Sequence, residues 1–118
     1  MRRYVGVLAL LGLVWGWPAG AAAQDQGWQG TTADLAQRCA MADRTFCYGF
    51  FSGAWQFYEG LVASEQVNVA PFVCPGPEVT GEMAASAFLD WFEAHPEAGD
   101  EVAVDGLFKA WTAAYPCE

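Results

Sequence analysis

Basic side chains are scarce in this chain: five Lys and Arg and one His, against 14 Asp and Glu in 118 residues. A net charge of −9 argues against a nucleic-acid partner and against an anionic membrane surface, because both would repel it. With His95 alone, any imidazole mechanism rests on one residue. That residue ends an apolar stripe just before Pro96, where bonding to the last helical carbonyls is its ordinary role. Ser52, Ser64 and Ser86 sit in no nucleophile elbow. The pairs Asp90/Glu93 and Asp100/Glu101 lack calcium-loop spacing. The Gly49/Gly53 run carries no Lys and follows no strand, so no phosphate loop is present. The cysteines have no C-x-x-C pair for zinc or redox chemistry. Neither an enzyme, nor a metal site, nor a cofactor is expected. Beyond the N-terminus no apolar run approaches the roughly 18 residues of a membrane span, and no internal repeat occurs.

What the chain does have begins with Arg2 and Arg3, an apolar run from Val5 to Trp17, a break at Pro18, and the small residues Ala19 to Ala23. This is the layout of a cleavable secretory signal, residues 1–23, with processing expected after Ala23. An oxidising destination outside the cytoplasm follows, with no stable membrane insertion once the signal is removed. The remaining 95 residues, 24–118, make one domain. They keep Arg38, Arg44 and Lys109 against all 14 carboxylates, a net charge of −11 that suits a basic protein partner. Solubility alone accounts for such acidity equally well.

Helical punctuation recurs along this domain. Thr31 with Asp34 three residues on resembles a capping box, and predicts a short helix from Thr31 or Thr32 to about Arg38. Phe50, Ala54, Phe57, Tyr58 and Leu61 fall at helical spacing within a second helix over 44–63. Inside it, Gly49-x-x-x-Gly53 predicts a tight crossing with another helix, since glycine in a helix costs about 1 kcal/mol unless a backbone must come close. Residues 64–79, with Pro71, Pro75 and Pro77, read as an extended connection, and Val67-Asn68-Val69 as at most a brief strand. Thr80 caps a third helix whose stripe is Ala84, Ala87, Phe88, Trp91, Phe92 and His95, ended by Pro96. Asp100 is expected to cap a fourth, burying Val104, Leu107, Phe108, Trp111 and Ala114 and stopped by Pro116. The fold class is all-α, a small disulfide-stapled bundle of about four helices.

Cys39, Cys47, Cys74 and Cys117 allow three connectivities, which sequence does not decide between. If helices three and four form an antiparallel hairpin, Cys74 and Cys117 fall at the same end. Cys39 and Cys47 flank the turn between helices one and two. The pairing Cys39–Cys47 with Cys74–Cys117 is therefore preferred, with the other two left open. Trp28, in the polar leader, is an aromatic free either to anchor a partner or to fold back on the bundle.

The landmarks occur in a recognisable order. They are Cys47-Tyr48-Gly49-Phe50-Phe51-Ser52-Gly53, then Phe72-Val73-Cys74-Pro75 leading to Val79-Thr80-Gly81-Glu82, then Phe92-Glu93-Ala94-His95-Pro96-Glu97, and the Tyr115-Pro116-Cys117 ending. Together they resemble the Rap/Tai family of periplasmic immunity proteins for type VI secretion amidase effectors. The resemblance covers about Leu35 to the C-terminus. It implies a helical, disulfide-containing inhibitor that binds a peptidoglycan amidase effector, often as a homodimer. His95, Glu97, Asp100 and Glu101 match a recurrent helix-connecting segment, and so become the candidate partner-binding residues. Heavier aromatic loading of helix two and the low Lys/Arg content depart from the family pattern. Two other functions compete with this one. The first is a periplasmic acid-stress chaperone, whose carboxylates would lose their charge at low pH. The second is a small envelope binding protein without a toxin partner.

Overall fold

A computed structural model describes residues 27–118, so the expected signal, residues 1–23, lies outside the described part. Four α-helices follow one another: α1 Thr32–Ala40, α2 Thr45–Ala63, α3 Gly81–Ala94 and α4 Ala103–Ala114, with a 3-10 helix Pro96–Asp100 between the last two. No strand forms among the described residues; Thr31 and Val102 make an isolated antiparallel bridge. Helix α3 packs on α4, and α1 packs against α2, α3, α4 and the 3-10 helix.

Local chemistry explains the start of α1. The Thr31 hydroxyl accepts from the Asp34 N–H at 3.1 Å, while the Asp34 carboxylate accepts from the N–H groups of Gln29 and Thr31 at 2.8 and 3.2 Å. These are the reciprocal bonds of a capping box. The Gln29 N–H, more than any other group, holds the Asp34 carboxyl below the ordinary aspartate range, with the bonds from Thr31 and the charge of Arg38 adding to it. A depressed folded-state pKa stabilises the fold above the unfolded value, and this contribution is lost as pH falls through the folded value. Replacing Asp34 by Asn should therefore lower stability at neutral pH, with the difference from the parent closing below about pH 4. Chemical denaturation at several pH values measures it; a gap independent of pH would rule out the charged cap as its source.

Thr80 caps α3, its hydroxyl accepting from the Met83 N–H at 3.2 Å. The fourth helix corrects the sequence reading. Asp100 closes the 3-10 helix that Pro96 initiates, and α4 begins two residues later on Val102 with no side-chain cap. The bridge takes over that role, because the Ala103 N–H donates to the Gly30 carbonyl at 2.8 Å. Gly30 accepts this geometry with φ of 78°, a left-handed backbone that suits glycine.

Leu35, Cys39, Cys47, Phe88 and Leu107 are fully buried, with Phe51, Tyr58 and Trp111 nearly so. Phe51 meets Phe88 and Trp111 edge-on, at centroid distances of 6.1 and 5.1 Å. Two expected faces are rotated. Helix α2 buries Cys47, Phe51 and Tyr58 and leaves Phe57 exposed. Helix α4 buries Ala103, Gly106, Leu107, Ala110 and Trp111, while Val104 and Ala114 face outward. Gly106 explains the second rotation. Thr32, fully buried on α1, sits so close that a Cβ at Gly106 would lie 2.9 Å from its Cβ and closer still to its methyl and hydroxyl. The Thr32 hydroxyl donates toward the carbonyls of Glu101 and Val102, at 3.1 and 3.3 Å.

The tight crossing thus lies at Gly106. Gly49 and Gly53 are exposed on α2, and a Cβ at either position would meet no atom within 4 Å. Their expected role in helix packing is corrected: the face of α2 that meets the bundle is the one carrying Cys47 and Phe51.

Both crosslinks follow the preferred pairing, with Cα separations of 4.9 Å for Cys39–Cys47 and 5.0 Å for Cys74–Cys117. The long connection is further fixed by Tyr58, 4% exposed, whose hydroxyl accepts from the N–H groups of Phe72 and Val73 and donates to the Val73 carbonyl, all within 3.1 Å. Tyr58→Phe should cost about 2 kcal/mol, because buried backbone groups lose their partner without a replacement. Urea denaturation tests this, and an unchanged midpoint would mean that water substitutes for the hydroxyl.

Candidate partner-binding surface

The connector between α3 and α4 is short and held at several points. His95 ends α3, its Nδ1 2.9 Å from the Trp91 carbonyl and its ring stacked on the Trp91 indole at 4.6 Å. Its imidazole is thus engaged in finishing a helix. Ala98 is buried, which turns the flanking Glu97 and Asp100 outward into solvent. Glu101 is fastened through its backbone, its carbonyl accepting from the Thr32 N–H at 2.8 Å. A floppy acidic loop would lose entropy on binding; this one is already ordered.

Side chains extend that anchoring towards α4. The Lys109 ammonium lies 2.7 Å from Glu101 Oε2 and 3.0 Å from Asp105 Oδ2. These two carboxylates, Glu101 first, raise the pKa of Lys109 above the ordinary lysine value. The ion pairs are solvent-exposed, so they fix geometry more than they add stability. Of the four expected partner-binding residues, then, Glu97 and Asp100 are exposed, Glu101 is joined to Asp105 through Lys109, and His95 is occupied by Trp91. Among the described residues, no group of three His, Cys, Asp or Glu side chains could hold a metal ion.

Beside this triad opens a groove of about 700 Å³ between α2 and α4. Phe57, Leu61, Phe72, Val104 and Phe108 form its apolar wall, and Asp105 and Lys109 part of its edge. Phe57, Phe72 and Val104 are 65%, 40% and 37% exposed. Sequence reasoning assigned Phe57 and Val104 to the core, since each falls on an apolar stripe. The available signal was the even distribution of apolar residues around α2, which leaves some of them without an interior to enter.

A second cavity, of about 390 Å³, lies between α2, the proline-rich connection and the start of α3, with Trp55, Pro75, Pro77 and Trp111 among its lining. Trp28 does not enter either space. It folds back to meet Phe46 and Phe50 edge-on at 4.8 and 5.9 Å, with the Arg38 guanidinium over the Phe46 ring at 5.2 Å.

Comparisons with curated proteins and with solved structures return no match. A family profile does match, described as Rap1a immunity proteins, over residues 31–117. That span runs from the Thr31 cap to Cys117, taking in all four helices, both crosslinks and the acidic connector. The chain belongs to the Rap1a immunity protein family.

Proposed function

We propose that this protein is exported by cleavage after Ala23 and acts in the periplasm as an immunity protein, blocking a peptidoglycan amidase effector of type VI secretion. The family membership carries this reading. It is supported by two crosslinks suited to an oxidising compartment, and by a chain in which carboxylates outnumber Lys and Arg 14 to 5. In this reading the protein works by contact rather than turnover. Glu97 and Asp100 approach the amidase from a connector whose backbone Thr32 and Ala98 hold in place. Ordered, exposed carboxylates of this kind steer a basic partner and set its orientation.

The deciding experiment mixes the purified protein with a secreted cell-wall amidase encoded beside its gene. A tight complex with loss of amidase activity is expected. Glu97→Lys combined with Asp100→Lys should weaken that complex by about tenfold or more, mainly by slowing association. If the amidase stays fully active at saturating protein, the immunity reading is wrong for that pair. An unaltered affinity for the double variant would move the contact away from the connector.

A further inference from the structure

The groove between α2 and α4 is the second half of a recognition surface. We propose that it seats a bulky apolar side chain of a cationic protein partner, while a neighbouring Lys or Arg of that partner pairs with Asp105 at the groove's edge. This rests on the immunity reading and locates the apolar anchor of the same partner. Binding energy concentrates where an apolar anchor fills a pocket fenced by polar groups, and this groove has that anatomy. Its floor is ordered in advance. The Phe72 N–H donates to the Tyr58 hydroxyl at 3.0 Å, and the Phe72 ring rests edge-on against Tyr58 and Phe108, at 4.9 and 5.8 Å.

Charge selects among occupants. The described residues contain three Lys or Arg. Arg38 lies over Phe46, Lys109 sits between Glu101 and Asp105, and Arg44 stands at the start of α2. A cationic partner gains from this acidic field. Continuity adds to this. Glu101 closes the acidic connector and shares Lys109 with Asp105, which lines the groove, so one partner can span both.

The test titrates isotope-labelled protein with two synthetic peptides, one with Leu-Phe between lysines and one with Leu-Phe between glutamates, and follows backbone amide shifts. The lysine peptide should shift amides around Phe57, Phe72 and Phe108 and the glutamate peptide should not. Phe57→Ser and Asp105→Lys should each weaken the lysine peptide by about tenfold. Both side chains are exposed, so the variants should fold, which unchanged amide dispersion verifies. Shifts mapping elsewhere, equal binding of both peptides, or self-association centred on the groove would each overturn the proposal. The immunity reading is separable. An amidase complex indifferent to Phe57→Ser removes the groove alone, whereas groove binding by the lysine peptide without any amidase complex removes only the immunity reading.

Discussion

Replacing Cys74 and Cys117 by serine should cost about 4 kcal/mol, the chain-entropy value for a ring closed over 43 residues. Neither cysteine is fully buried, so loss of the crosslink itself should dominate over lost packing. For a domain of this size each kcal/mol lowers the melting temperature by roughly 4–8 °C, so the variant should melt about 15–30 °C below the parent. The bond ties the proline-rich connection to the end of α4, where the Cys74 N–H also donates to the Tyr115 carbonyl at 2.8 Å. Urea denaturation of oxidised parent and variant measures the difference. A loss below about 1 kcal/mol would show that this backbone bond and the Tyr58 hydroxyl hold the connection unaided.

Gly106→Ala should cost about 3 kcal/mol, although alanine is the better helix former by about 1 kcal/mol. The added methyl meets the buried side chain of Thr32, and Thr32 cannot retreat without giving up its bonds to the Glu101 and Val102 carbonyls. Removing the obstacle tests the cause: Thr32→Ala with Gly106→Ala should be less destabilised than the sum of the single variants, by about 1 kcal/mol or more. Strict additivity would locate the damage elsewhere. Gly49→Ala and Gly53→Ala supply the contrast. Both positions face open space, so each substitution should raise stability by about 0.5–1 kcal/mol through helix propensity alone. The same chemical change thus has opposite signs at positions of one residue type.

This contrast shows what was legible in the sequence. Helix ends were, because their causes are local: Thr31 with Asp34, Thr80, and Pro96 act within one turn of chain. The preferred crosslinks were legible too, since a hairpin brings the residue before one helix beside the residue after the next. Which way a helix turns was not. Apolar residues surround α2, so a stripe through Phe57 looks as regular as the one through Cys47, Phe51 and Tyr58 that enters the core. In α4 the orientation is decided by Gly106 against Thr32, a partner far away in sequence that no periodicity reveals. Asp100 was misread for a related reason. Pro96 starts a 3-10 helix that absorbs it, and the true start of α4 is satisfied by the Gly30 carbonyl. At the candidate surface, the acidic connector was visible as a motif, but the groove beside it was hidden by those same rotations.

Thr32 and Val102 stand 70 positions apart, yet their junction sets the backbone from which the acidic connector projects. Distant pairings of this kind close after local helices have formed. A chain emerging N-terminus first therefore lacks its display of carboxylates until nearly all of it has been made. Copies stalled or clipped before α4 should therefore lack this display, so its abundance would depend on the number of finished molecules rather than on the number begun.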